Sequence, residues 1–165
     1  MKNIYLIGMM GCGKTTCAGL LAGRLGREWL DTDDCIERAA GMTVSQIFSA
    51  RGEPGFRDLE TDLCRDLSRR ENLIVACGGG LPLREENRAL IRTGLVVFLN
   101  RDPEEIYDSV DMSARPLGQA GKDAFLARFS RRAPIYRAAA HIVIEQFASP
   151  EKTVEEIMQK LEEYL

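Results

Sequence analysis

Histidine occurs once in this chain, at His141, and none of the five cysteines belongs to a C-x-x-C pair. A zinc cluster therefore lacks ligands at the right spacing, and an odd thiol count does not resemble a disulfide framework. Cys12, Cys17, Cys35, Cys64 and Cys77 read as reduced thiols, which points to a cytoplasmic protein. No apolar run approaches the ~18 residues that span a bilayer, so no membrane partner is expected. A leader peptide is not expected either, because the apolar residues after Lys2 are interrupted by glycines and Lys14. Nor is there a basic surplus. The 22 Lys and Arg are outnumbered by 25 Asp and Glu, for a net charge of −3, which argues against nucleic acid. With 45% hydrophobic and 28% charged residues, what remains is the balance of an ordinary globular chain.

Short apolar runs alternate with helical patterns along all 165 residues. Strands are expected at Ile4–Ile7, Trp29–Leu30, Leu73–Cys77, Leu95–Leu99 and Ile142–Ile144. Helices are expected around Thr15–Leu25, Asp34–Ala40, Val44–Ala50, Gly55–Arg69, Arg84–Arg92, Pro103–Asp111, Asp123–Ala138 and Pro150–Tyr164. Near-continuous apolar strands separated by helices imply an α/β domain with a parallel sheet covered on both faces. Residues 112–121, with two glycines, a proline and no period, break this rhythm and read as a lid or a surface loop.

Between the first strand and first helix lies Gly8-Met9-Met10-Gly11-Cys12-Gly13-Lys14-Thr15, which fits G-x-x-x-x-G-K-[ST] at every fixed position. The strand–loop–helix setting is what the mechanism needs. Glycines let successive amides and the helix N-terminus point at a polyphosphate. Gly11, Cys12, Gly13, Lys14, Thr15 and Thr16 are thus candidate nucleotide contacts, with Lys14 on the β- and γ-phosphates and the Thr15 hydroxyl on Mg²⁺. Modification of Cys12 within this loop is expected to interfere with nucleotide binding.

Three further clusters fall near strand ends. Asp31-Thr32-Asp33-Asp34 follows the second strand, where a carboxylate either serves the ligand site or caps the next helix. Gly78-Gly79-Gly80 follows the third and permits close approach of a ligand to the main chain, where a plain tight turn would need only one or two glycines. Arg57 opens a helix where a cation gains nothing from the dipole, so it is a solvated surface residue or faces an anion. Arg131, Arg132 and Arg137 lie near the end of a later helix, where cations suit the dipole and a guanidinium also suits a carboxylate or phosphate.

Taken in order, these motifs resemble those of the shikimate kinases. The loop at Gly8–Thr15 is followed by D-x-D at Asp31–Asp33, G-x-[ST]-[IV]-x-x-I-F at Gly41–Phe48 and G-E-x-x-F-R-x-x-E at Gly52–Glu60. The triple glycine, R-P-L at Arg115–Leu117 and R-x-P-x-Y-R at Arg132–Arg137 complete the set. The resemblance implies a three-layer P-loop kinase fold in one domain, with five parallel strands in the order 2-3-1-4-5 and a mobile lid. It implies transfer of the γ-phosphoryl of ATP to the 3-hydroxyl of shikimate, with Mg²⁺ as cofactor and a monomer as the working form. Carried onto matching positions, Asp33 would accept the hydroxyl proton, and Arg57 and Arg137 would clamp the substrate carboxylate. Gly79 and Gly80 would contact the ring, Glu60 would hold Arg57, and Phe48 and Phe56 would form apolar walls, all within an acceptor region around residues 33–60. Asp31 would stand behind the Mg²⁺, and Arg115 would swing in with the lid to stabilise phosphate charge. Family members often carry an arginine against the adenine where Tyr107 and Asp108 stand here. Among rivals, a GTP-dependent switch would carry D-x-x-G and N-K-x-D, and neither occurs. Another small-molecule or nucleoside kinase is the nearer alternative, although several arginines beside an acidic base favour an anionic hydroxylated acceptor.

Overall fold

The computed structural model describes residues 1–109, 121–145 and 147–164. Five strands, β1 (Ile4–Ile7), β2 (Glu28–Asp31), β3 (Leu73–Ala76), β4 (Leu95–Leu99) and β5 (Ile142–Ile144), pair in parallel in the order β2-β3-β1-β4-β5. That is the order the family resemblance implied. Every residue of β1 and β3 is buried, as a sheet covered on both faces requires. The connections are α1 (Lys14–Leu25), α2 (Thr32–Ala40), α3 (Val44–Ser68), α4 (Glu85–Ile91), α5 (Pro103–Ser109) and α6 (Lys122–Ala139), with α7 (Pro150–Glu162) last. No helix among the described residues is long and apolar enough to cross a membrane.

The sheet's order places the phosphate loop at its centre. β1 lies between β3 and β4, so the segments leaving β1 and β3 run side by side at the carboxyl edge. Strand order reverses here, and a crevice opens where the connections diverge. Leu6, Ile74, Val97 and Phe98 are fully buried in the main core beneath it.

A second, smaller core lies off the sheet, where Ile36 of α2 packs with Ile47 and Phe56 of α3. The sequence suggests two helices, Val44–Ala50 and Gly55–Arg69, and α3 is indeed two helical segments that meet at a break at Gly52, where the backbone leaves the helical region (φ 71°, ψ 176°). The left-handed φ favours glycine, and Pro54 in the next turn removes a helical donor. The bend folds the two halves towards each other and brings the Phe48 and Phe56 rings to 5.1 Å between centroids.

Candidate active site

α1 begins inside the sequence motif, and Gly13 caps it at φ 100°, a conformation a side chain would strain. Lys14 follows and is buried, with Nζ donating to the carbonyls of Gly8 (2.7 Å) and Met9 (2.9 Å). The ammonium is thus held against its own loop. Above the loop lies a cavity of about 280 Å³ lined by Lys14, Thr15, Asp31, Asp33 and Gly79, among others. Gly11, Gly13 and Thr16 border it too. Cys12 does not present its thiol to this space. It is 2% exposed, and its amide donates to the Met9 carbonyl at 3.2 Å.

The acidic cluster after β2 divides its labour differently from the sequence expectation. Capping falls to Asp31, whose Oδ1 accepts from the amides of Asp33 (2.9 Å) and Asp34 (3.2 Å), leaving neither of those as the cap. The other oxygen of Asp31 accepts from the Thr15 hydroxyl at 2.7 Å. One carboxylate therefore starts α2 and touches the phosphate loop. Hydroxyl and carboxylate oxygens facing a phosphate cleft suit a hard divalent cation. No cluster of three or more His, Cys, Asp or Glu able to hold a metal occurs among the described residues, so phosphate and water oxygens would complete any shell there.

Asp33, released from capping, turns its side chain toward the cleft, and its Oδ1 has no hydrogen-bond partner among the described residues. Burial, helped by repulsion from Asp31, pushes its carboxyl up to about 6, only partly offset by Lys14 and Arg57. Such a carboxylate is well matched to taking a proton near neutral pH.

Arg57 faces inward. It is 7% exposed, donating through Nη1 to Glu60 Oε1 (2.8 Å) and through Nη2 to Glu53 Oε1 (3.1 Å), with its Cζ 5.4 Å from the Phe56 ring centroid. Burial pulls the guanidinium pKa down, and Glu60 and Glu53 more than offset it. Glu60 is wholly enclosed, and burial pushes its carboxyl up to about 7 against the pull of Arg57. Its Oε2 has no hydrogen-bond partner among the described residues.

The glycine run makes room for these side chains. A Cβ on Gly78 would stand 2.6 Å from Asp33 Oδ1 and 3.1 Å from Glu60 Oε2. A Cβ on Gly80 would overlap the Arg57 guanidinium. The sequence expectation was close approach of a ligand; what comes close to Gly78 and Gly80 in the structure is the protein's own charged side chains. Gly78 and Gly79 both border the phosphate cavity, and the Gly79 carbonyl accepts from the Tyr136 hydroxyl. Burial pushes that phenol up to about 12, so it remains a donor.

One expected residue is displaced. Arg137 is 55% exposed and pairs with Glu145 at 3.2 Å, pointing away from the cleft. The inward guanidinium of α6 belongs to Arg132, 6% exposed, whose Nη1 lies 3.6 Å from where a Gly79 Cβ would be. That nitrogen has no hydrogen-bond partner among the described residues. The correction has a helical cause. Phe125, Arg132, Tyr136 and Ala139 form the buried stripe of α6. Steps of seven, four and three residues put Arg132 on that stripe and Arg137 off it.

Arg115 and residues 112–120 of the expected lid lie outside the described residues. Near the start of that segment, Tyr107 packs on Phe125 with centroids 5.5 Å apart, and Asp108 accepts from Lys122 Nζ at 3.0 Å.

A family model described as "Shikimate kinase" matches residues 10–162. A protein of Symbiobacterium thermophilum named shikimate kinase is 44% identical over 98% of this chain and 97% of its own length. One of Dehalococcoides mccartyi with the same name is 40% identical over 99% of this chain and 95% of its own. Among solved structures, shikimate kinase from Acinetobacter baumannii in complex with shikimate superposes with a TM-score of 0.95 at 37% identity, covering 99% of this chain and 94% of that one. The Aquifex aeolicus shikimate kinase gives 0.86 at 35% identity, covering 97% and 96%.

Proposed function

The chain belongs to the shikimate kinase family, and on that premise we propose that its cleft moves the γ-phosphoryl of ATP to the 3-hydroxyl of shikimate, giving shikimate 3-phosphate and ADP. One observation supports the assignment of roles most directly. Asp33, whose Oδ1 has no hydrogen-bond partner among the described residues, borders the phosphate cavity, while two buried guanidiniums, Arg57 and Arg132, flank the glycine run beyond it. A hydroxylated acid fits between them, its carboxylate on the arginines and a ring hydroxyl on Asp33.

The chemistry is positioning and charge compensation. The acceptor oxygen forms a bond to the γ-phosphorus as the bond to the β-bridging oxygen breaks. The hydroxyl proton passes to Asp33, and ADP leaves. Lys14 exchanges the carbonyls of Gly8 and Met9 for phosphate oxygens, a short movement for a lysine head. Thr15 and Asp31 would hold Mg²⁺, which supplies charge neutralisation on the phosphates when bound. Glu60 keeps Arg57 oriented, and Phe48 and Phe56 give the ring an apolar wall. Arg115 would meet the phosphate charge. The buried Arg132 Nη1, which has no partner among the described residues, favours an anion over a neutral sugar, since leaving it unpaired carries a desolvation penalty.

A coupled ADP-release assay, run with and without shikimate, tests this reading. ADP release should depend on shikimate and yield its 3-phosphate stoichiometrically. An unchanged rate of ADP release on adding shikimate would overturn it.

A further inference from the structure

The glycine run Gly78–Gly80 has no side chains with which to anchor itself, yet three acceptor-side charges are set against it. Asp33 Oδ1 lies against Gly78, Arg132 against Gly79 and Arg57 against Gly80, each close enough that a Cβ there would meet it. Hydrogen bonds inside the turn, from the Leu81 amide to the Gly78 carbonyl and from the Leu83 amide to the Gly80 carbonyl, shape the run without tying it to other elements. Among the described residues, two side-chain hydroxyls make that tie. The first belongs to Thr32, wholly buried at the start of α2, whose Oγ1 accepts from the Gly78 amide at 2.8 Å. Successive amides of a strand point to opposite neighbours, and the Cys77 amide already donates to Leu6 of β1. The Gly78 amide therefore points to the β2 side. There the ladder ends at Asp31 and Ala76, because Thr32 has turned into the helix, so its hydroxyl stands in for a strand carbonyl. The second hydroxyl is that of Tyr136 on α6, also wholly buried. It donates to the Gly79 carbonyl at 2.5 Å and lies 3.6 Å from Met9 Sδ of the phosphate loop. Burial keeps this phenol protonated against the pull of Arg132, about one turn earlier.

We propose that Thr32 and Tyr136 are positioning residues for phosphoryl transfer, their hydroxyls clamping the glycine run from two different helices so that Asp33 and the arginines keep their spacing. The role rests on the function proposed above and deepens it. Removing the Thr32 hydroxyl strands a buried N–H beside Asp33 Oδ1, which has no partner among the described residues and is the acceptor at hand. An amide turned onto that oxygen competes with the acceptor hydroxyl, so the loss falls on kcat. Removing the Tyr136 hydroxyl frees the Gly79 carbonyl and loosens that glycine against Arg132, so the loss falls on acceptor binding.

Steady-state kinetics on the full chain test this with Thr32→Val, Thr32→Ser and Tyr136→Phe, each checked by circular dichroism and melting. Thr32→Val keeps the side chain's shape and should lower kcat about tenfold with little change in the ATP KM, a loss of the order that misplaced reacting groups carry. Thr32→Ser restores the hydroxyl and should recover most of that loss. Tyr136→Phe should raise the acceptor KM about fivefold and leave the ATP KM alone, the effect of one buried hydrogen bond. A packing role alone would lower the melting temperature without this split between substrates. A folded Thr32→Val or Tyr136→Phe that matches the wild type within about twofold would overturn the clamp, as would equal losses for both substrates or no recovery in Thr32→Ser. Should Thr32→Val not fold, Tyr136→Phe decides by the same measures. A wild type indifferent to shikimate would sink the proposed function and this role with it, whereas a responsive wild type with unaffected variants sinks the role alone.

Discussion

The two sides of the cleft are built from different materials. On the phosphate side, main-chain geometry does most of the work: glycines shape a loop between β1 and α1, and Lys14 rests on that loop's own carbonyls. On the acceptor side the working groups are charged side chains drawn from α2, α3 and α6, buried against one another around Gly78–Gly80. A backbone site is local and tolerates little substitution, and the one charge it buries, Lys14, rests on main-chain carbonyls. A side-chain site carries desolvated ions that hold each other in place, so removing one leaves another stranded.

The sharpest way to break that contrast is at Lys14. Lys14→Met should lower kcat by about 100-fold or more, since it removes a cation aimed at developing phosphate charge. The fold should survive, because the loop glycines remain. Stopped turnover with a normal melting curve is the expected pair of results, and near-normal kcat would sink the role.

Next in size is a paired test on α6. Arg132→Ala should raise the acceptor KM by about 10- to 100-fold, the loss of one charge-assisted contact, and change the ATP KM little. Arg137→Ala should stay within about twofold for both substrates, being an exposed ion pair with Glu145. If the two variants exchanged behaviours, the assignment of Arg132 to the cleft would fail.

Gly80→Ala probes the side-chain half from the backbone. The added methyl would collide with the Arg57 guanidinium, which is held by Glu60 and Glu53. Overpacking of this kind typically destabilises by about 1–3 kcal/mol. Chemical denaturation should show that loss, with a raised acceptor KM and an ATP KM near normal. An unaltered unfolding midpoint would mean the guanidinium moves aside freely.

The same contrast explains what could be read before the structure. The phosphate loop was legible because its residues are contiguous and its geometry is set by their φ angles. Four strands were legible because each is a short apolar run in a sheet buried on both faces, whereas β2, an edge strand with Glu28 and Trp29 exposed, was marked only by Trp29–Leu30. The acceptor side was legible only in part. The carboxylates after β2 could serve the ligand site or cap the next helix, and only the fold reveals that Asp31 caps the helix while reaching Thr15. Arg137 fits the end of the family motif, yet the buried stripe of α6 passes through Arg132. That stripe was present in the sequence as Phe125, Arg132, Tyr136 and Ala139, and a periodicity count that admits charged residues would have found it. The kink at Gly52 was half visible, as a break between two helical patterns, because Pro54 and Gly55 interrupt the run.

The smallest expected effect is also the most direct test of whether the acceptor side stores strain in its charges. Burial raises the Glu60 carboxyl from an ordinary 4.5 to about 7. A carboxyl that binds its proton more tightly when folded favours the native state at low pH. That advantage is complete below the unfolded pKa and disappears as pH rises through the folded one. The window for Glu60 is therefore about pH 4.5 to 7. Glu60→Gln keeps an acceptor for Arg57 but cannot ionise. The melting temperature of the wild type should fall relative to this variant across that window, by on the order of 5 °C, and the gap should then stay level. A gap that is flat from pH 4 to pH 8 would mean that Arg57 holds Glu60 ionised throughout. Charge pairing would then outweigh desolvation on this side of the cleft, and the buried cluster would be held together by its ions instead of merely enclosing them.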